Sequence, residues 1–163
     1  MPATNSIAPS EIASGQFSTF VVGDLFFGVD VLRVQEVLKF QSMTAVPLAP
    51  HVIEGLINLR GHIVTALDLR RRLGLPPRAG DRAPMNVVVR TEEGAVSLLV
   101  DEIGDVVNVD SGLWENTPGN LDPGVRDLIR GVYKLDDRLL LVLDAERAVD
   151  LTSAGQSRLK GNC

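Results

Sequence analysis

The sequence contains a single cysteine, Cys163 at its last position, so it has neither a disulfide framework nor a thiolate metal site. Histidine is almost as scarce. His51 and His62 are the only two, and neither has the spacing of a helical zinc site. No Gly-x-Ser-x-Gly elbow and no glycine-rich phosphate loop occurs. Ser18, Ser97 and Ser111 have no histidine close in sequence. Aromatic residues make up only 4%, too few for base-stacking platforms. Net charge is -5 with no basic block, which argues against a nucleic-acid partner held through its phosphates. No apolar run is long enough to cross a bilayer. The first sixteen residues lack the positive start and apolar core of a secretory signal. These absences together suggest the cytoplasm, with no catalytic centre, no cofactor, no metal and no direct membrane insertion.

What the sequence does have is ordinary for a globular core: 45% hydrophobic and 23% charged residues among 163. That length favours one compact domain with room for two small lobes. Residues 1–16 read as a flexible N-terminal tail, 17–151 as the domain and 152–163 as a flexible C-terminal tail. Phe17 to Val22 and Leu25 to Val29 form a predicted hairpin about Gly23-Asp24. Val31 opens a short helical turn leading into an extended segment. Pro47 and Pro50 then introduce a helix whose apolar face carries Ile53, Leu56 and Ile57, closed by Gly61 as a left-handed cap. Ile63 to Leu69 is a strand apolar on both faces. Arg70 to Leu75 is a basic helical turn, and Pro76 to Pro84 a surface loop and lobe boundary. Asn86 to Arg90, Ala95 to Val100 and Asp105 to Val109 are strands, and Ser111 to Val125 is a long loop. A last hairpin turns at Asp136-Asp137, and Ala145 to Leu151 closes with a helical turn.

A faint repeat runs through this pattern. Gly55 to Asp68 aligns without gaps on Gly131 to Asp144, glycine opening both and Leu-Asp ending both. The hairpin ending Phe27-Gly28-Val29-Asp30 likewise resembles the one ending Leu99-Val100-Asp101. Many short strands with tight turns point to small barrels, which remove exposed edges by closure.

Acidic residues number 21 but sit mostly at turns and strand ends. Asp101-Glu102 could bind a cation, and a strand-terminating turn is the simpler assignment. Asn58 and Arg60 stand at the corner after the Ile53 segment. One possibility is plain capping of a helix end. The other is a guanidinium placed to meet a partner's carboxylate. Glu36, within Val31-Leu-Arg-Val-Gln-Glu-Val-Leu38, is either a solvated edge residue or the acidic partner of Arg60 beside an apolar surface. A small β-barrel hydrolase or ligand-binding module remains an alternative function at this point.

The residues from about Phe17 to Leu151 resemble the CheW family of chemotaxis adaptors. The resemblance rests on Gly28-Val-Asp-Val-Leu-Arg-Val-Gln-Glu-Val37, Ile53-Glu-Gly-Leu-Ile-Asn-Leu-Arg-Gly61 and Leu67-Asp-Leu-Arg70. Val100-Asp-Glu-Ile-Gly-Asp-Val106 and Leu140-Leu-Val-Leu-Asp144 extend it. It implies a mainly β fold of two intertwined five-stranded, SH3-like β-barrel lobes with short helices. It also implies a non-catalytic scaffold coupling chemoreceptor cytoplasmic tips to the regulatory domain of a CheA-type histidine kinase, recruited to receptor arrays. By that resemblance the partner-binding positions are Val34, Glu36, Gly55, Asn58, Arg60 and Gly61, with Val106 toward a receptor groove between the lobes. The family often has proline where this chain has Thr65, and threonine restores an amide donor for normal strand pairing. Trp114, isolated in the long loop, is either a filler of the interface between lobes or an exposed anchor, and the filler is the expected role.

Overall fold

Tight turns punctuate short apolar stretches along the whole chain, and in the computed structural model those stretches pair into two sheets. Residues 15–78, 80 and 82–151 are described. The strands are β1 (Gln16–Val22), β2 (Leu25–Asp30), β3 (Val34–Leu38), β4 (Ile53–Leu59), β5 (His62–Asp68), β6 (Met85–Thr91), β7 (Gly94–Val100), β8 (Glu102–Asn108), β9 (Trp114–Glu115), β10 (Ile129–Lys134) and β11 (Leu139–Leu143). Three short helices are α1 (Leu69–Leu73), α2 (Pro123–Arg126) and α3 (Ala145–Val149). The expected tails lie outside the described residues except at their inner edge, where Gln16 already pairs with Asn108 as part of β1.

Lobe 1 is the sheet ordered β8-β1-β2-β11-β10-β9, and lobe 2 is the sheet ordered β3-β6-β7-β5-β4. Each lobe takes one hairpin from one half of the chain and its remaining strands, four in lobe 1 and three in lobe 2, from the other. β1 and β2 belong to lobe 1, but the next strand, β3, crosses to pair with β6 in lobe 2. β6 and β7 belong to lobe 2, and the next strand, β8, crosses back to pair with β1. The internal repeat is therefore structural. Its two aligned segments are the hairpins β4–β5 and β10–β11, and in each the second strand pairs in parallel with an earlier or later hairpin. Each ends in an aspartate that caps a short helix. Asp68 accepts from the Arg70 amide at 2.9 Å, and Asp144 accepts from the Arg147 amide at 3.1 Å.

Nearly continuous apolar strands bury both faces. One face of each sheet turns toward a core shared by the lobes, built from Phe20, Phe27, Val29, Leu67, Val87, Leu98, Leu141 and Leu143 among others. The opposite face fills each lobe separately. Lobe 1 is filled by Phe17, Phe26, Tyr133, Leu140 and Val142, and lobe 2 by Ile57, Leu59, Val64 and Val88. Each buried Leu or Phe contributes roughly 1.5–3 kcal/mol. The lobes are thus joined by their largest apolar cluster.

Several sequence expectations are corrected. Ile53 to Leu59 is a strand rather than a helix, because Gly55, Ile57 and Leu59 alternate inward. Gly61 accordingly caps no helix and sits in a hairpin turn. The segment 76–84 is no lobe boundary, since β4 and β5 before it and β6 and β7 after it belong to the same lobe 2 sheet. Its Arg78 side chain is buried against Asp68 and Asp101. Within 111–125 lie β9 and α2. Trp114 packs edge-on against Tyr133 at 5.0 Å over Gly131, so it fills lobe 1 and not the space between lobes. Thr65 pairs with Leu56 and Val96, as a residue with an amide donor can.

Asp101 occupies the crossing from β7 to β8. It accepts from the Gly23 amide at 2.7 Å, from Arg70 at 2.9 Å and from Arg78 at 2.8 Å. Burial pushes its carboxyl up. The bonds from Arg70, Gly23 and Arg78 outweigh that and lower its pKa from 3.8 to about 2. A depressed folded pKa stabilises the fold above the unfolded value and loses that effect as pH falls through the folded one. Acid titration of stability should therefore show a loss as pH falls from 3.8 through about 2 that Asp101→Asn abolishes. An acid limb unchanged in that variant would remove Asp101 from the account.

A second local feature is testable. The turn Val46-Pro47-Leu48-Ala49 closes with a bond from the Ala49 amide to the Val46 carbonyl, and Leu48 has φ 67. Proline followed by a positive φ is the type II arrangement, whose third position favours Gly or Asn. Leu48 is fully exposed, so it gains no packing there. Leu48→Asn should raise stability by about 0.5–1 kcal/mol in urea unfolding, because asparagine tolerates this conformation better.

Candidate functional site

The β4–β5 hairpin reverses in two residues, with Leu59 opposite His62. Arg60 has φ 53 and Gly61 φ 88. Two successive positive φ values make this a type I′ turn, whose twist matches that of the flanking strands. An added Cβ on Gly61 would meet nothing within 4 Å, so backbone freedom rather than space calls for glycine. Asn58 Oδ1 accepts from the Gly61 amide at 2.8 Å.

Arg60 reaches from this tip to Glu36 on β3, Nη1 to Oε2 at 2.7 Å. β3 and β4 are the opposite edges of the lobe 2 sheet. The ion pair therefore spans a seam that exists only because the sheet curls on itself. The two side chains are unequally placed, Glu36 being 16% exposed and Arg60 74%. The acid is the seated member, and the guanidinium keeps most of its donors toward solvent. The hydrogen bond and charge of Glu36 hold the Arg60 pKa above its ordinary value, so the guanidinium keeps its charge. Chemically, the corner is a fixed cation able to accept a further carboxylate or carbonyl, not a proton-transfer centre.

Closure of lobe 2 also depends on Gly55. Thr44 bridges to Leu56 by two backbone bonds, Thr44 amide to Leu56 carbonyl at 2.9 Å and Leu56 amide to Thr44 carbonyl at 2.8 Å. A Cβ on Gly55 would lie 2.7 Å from the Thr44 carbonyl oxygen and 3.2 Å from Met43 Cβ. Only glycine lets the segment after β3 lie this close to β4.

The structure brings Glu36, Asn58, Arg60 and Gly61 together at one end of lobe 2. Gly55 stands on the same strand as Asn58, about 10 Å from it at roughly 3.3 Å per residue. Val34, opposite Val89 on β3, is half-buried against the shared core. Val106 is apart from these, on edge strand β8 of lobe 1, opposite Ser18 and 53% exposed. Sequence reading did not single out Ile63, a large apolar residue 63% exposed and paired across the hairpin with Asn58. A hairpin assignment for Arg60-Gly61 would have found it, since the residues flanking a hairpin tip are the last to be covered. Asp101 was taken as a turn residue, and its pairing with Arg70 and Arg78 joins segments too distant in sequence to be anticipated.

Among the described residues no helix is long and apolar enough to cross a membrane, and no group of three or more His, Cys, Asp or Glu could hold a metal ion. A cleft of about 280 Å³ beside α1 is lined by Arg70, Arg71, Arg78, Asp68 and Glu54, whose charges pair with one another or with Asp101. A second, of about 280 Å³, is lined by Val21, Leu25, Phe26, Leu121, Leu139 and Leu141 between Asp24 and Arg138. Neither cleft carries a serine, histidine or cysteine.

The family model for the CheW-like domain matches residues 16–153. A probable chemotaxis protein CheW of Rhizobium etli is 31% identical, over 78% of this chain and 82% of its own length. The chemotaxis protein CheW of Bacillus subtilis is 30% identical, over 89% of this chain and 94% of its own. Among solved structures, the scaffolding protein TtCheW of Thermoanaerobacter tengcongensis aligns with a TM-score of 0.75 at 27% identity. That alignment covers 84% of this chain and 93% of the other.

Gly55→Ala should lower unfolding stability by about 1–3 kcal/mol, the usual cost of forcing volume into a filled site. It should also speed amide exchange at Thr44 and Leu56, which native-state exchange would read directly. Unchanged protection at both amides would show that the close approach is not needed.

Proposed function

The chain belongs to the CheW-like family, and on that premise we propose that it links chemoreceptor cytoplasmic tips to the regulatory domain of a CheA-type histidine kinase. The protein is a coupling scaffold of chemotaxis signalling with two SH3-like lobes. The observation that carries the finer proposal is the exposed Arg60 guanidinium, anchored at one atom by Glu36 and open at the others. An ion pair seated this way sets register for a partner while adjoining apolar surface supplies affinity. Ile63 offers such surface beside the tip.

In this proposal Glu36, Arg60, Asn58 and Gly61 form the principal docking corner of lobe 2. Val34 and Gly55 support the strands behind it, and Val106 offers a separate contact on lobe 1. The protein works without turnover, cofactor or metal. It acts in the cytoplasm, recruited to receptor arrays, and residues 17–151 form the working domain between two tails. Nothing supports the hydrolase or ligand-binding alternative: the two clefts described lack nucleophiles, and their arginines are neutralised internally or, for Arg138, stacked on Phe26 at 3.7 Å.

Titration calorimetry against the regulatory domain of the same organism's CheA-type kinase tests this. Saturable binding is expected, with Arg60→Ala weakening it about tenfold while the melting temperature stays near that of the parent, since an exposed pair stabilises little. Parent-like affinity of a folded Arg60→Ala protein would refute the assigned role of the corner.

A further inference from the structure

The residue at the tip of this hairpin breaks a local rule. A type I′ turn favours Asn-Gly, Asp-Gly or Gly-Gly, because both central residues need positive φ. Here the first central residue is arginine, at φ 53. A side chain in that region is strained, and such outliers persist only where the surroundings hold them. Two contacts are available to hold this one. One is the Glu36 carboxylate on the far edge of the sheet. The other is Asn58, whose side-chain oxygen accepts from the Gly61 amide at 2.8 Å.

The second contact has a specific logic. In a two-residue hairpin the ladder bonds belong to the residues flanking the turn, here Leu59 and His62. The Gly61 amide is a donor that the ladder does not use. Asn58 supplies its acceptor and so ties the turn back onto β4. Because the donor is a backbone N–H, it is the carboxamide oxygen of Asn58 that must face it. This side chain is therefore committed to the turn, and is not simply a polar group offered to a partner.

We propose that Asn58 is the positioning residue of the docking corner, holding Arg60 in its left-handed conformation so that the guanidinium meets both Glu36 and a partner's carboxylate. This deepens the proposed coupling role and rests on it. The corner is then one unit of three side chains from β3, β4 and the turn. Asn58 acts on the backbone, Glu36 on the guanidinium, and Arg60 presents its free guanidinium donors outward. Removing Asn58 would not remove any partner contact. It would let the turn populate other geometries in which Arg60 leaves Glu36.

A double-mutant cycle separates this from a merely structural asparagine. Calorimetric titrations would use the kinase regulatory domain with the parent, Asn58→Ala, Arg60→Ala and the double variant, each checked for folding by its melting curve. Positioning predicts about tenfold weaker binding for Arg60→Ala and about fivefold for Asn58→Ala. The double variant should be no weaker than Arg60→Ala alone, because Asn58 acts only through Arg60. Additive losses, or no loss for Asn58→Ala, would overturn the proposal.

The side-chain resonances of Arg60 in the free protein supply a readout independent of any partner. In the parent they should show a guanidinium in slow exchange and sensitive to Glu36→Gln. In Asn58→Ala they should move toward those of an unpaired arginine. If Arg60→Ala binds like the parent, the docking reading fails, and the resonances alone decide whether Asn58 positions Arg60. Resonances unaltered in Asn58→Ala would overturn the positioning role whatever the calorimetry shows.

Discussion

A single carboxylate ties the crossing from lobe 2 back to lobe 1 to the segments packed around it. Asp101 follows β7 of lobe 2 and precedes β8 of lobe 1. It receives the amide of Gly23 from the β1–β2 turn, the guanidinium of Arg70 from α1 and that of Arg78 from the segment between the two repeats. Desolvation offsets part of the attraction, but the bonds from Arg70, Gly23 and Arg78 outweigh it. The effect of the carboxylate is also geometric. Without the carboxylate, two guanidiniums would face each other at the crossing, and nothing would fix where the strand turns. Arg72 makes a comparable tie, donating to the Ala148 and Arg147 carbonyls at the end of α3. These bonds hold in register what the shared apolar core draws together.

The docking corner inherits its precision from that intertwining. Glu36 lies on a strand that left lobe 1 to join lobe 2, and Arg60 lies on a hairpin at the opposite edge of the same sheet. They meet because lobe 2 closes, and lobe 2 closes because Gly55 lets the segment through Thr44 pack directly on β4. The exposed charge is thus supported by buried backbone. A glycine with no chemistry of its own decides whether the charged pair forms.

Much of the fold was legible in the residues. Gly23-Asp24 and Asp136-Asp137 marked hairpins because turns select those residue types, and each hairpin is present. The repeat was visible as Gly and Leu-Asp at matching places, and it proved to be a hairpin followed by an aspartate cap. The error over Ile53 to Leu59 also has a physical cause. The buried positions are Gly55, Ile57 and Leu59, and glycine carries no side chain to show the alternation. A register irregularity between Ile53 and Gly55 shifted the remaining apolar residues into apparent helical spacing. Arg-Gly, unlike Asn-Gly, does not announce a hairpin.

The sequence by itself determined most of the segments that would be strands, where most turns fall, the duplication and the family, because these follow from local conformational preference and from residue order. It also marked Glu36 and Arg60 as a possible pair. Only the tertiary structure decided that β3 and β8 exchange lobes, that Trp114 fills lobe 1, that Asp101 latches the crossing and that Asn58 serves the turn. Each of these depends on which distant segments meet. That is settled by the burial of two sheets against one common core, a property of the whole chain that no local stretch carries.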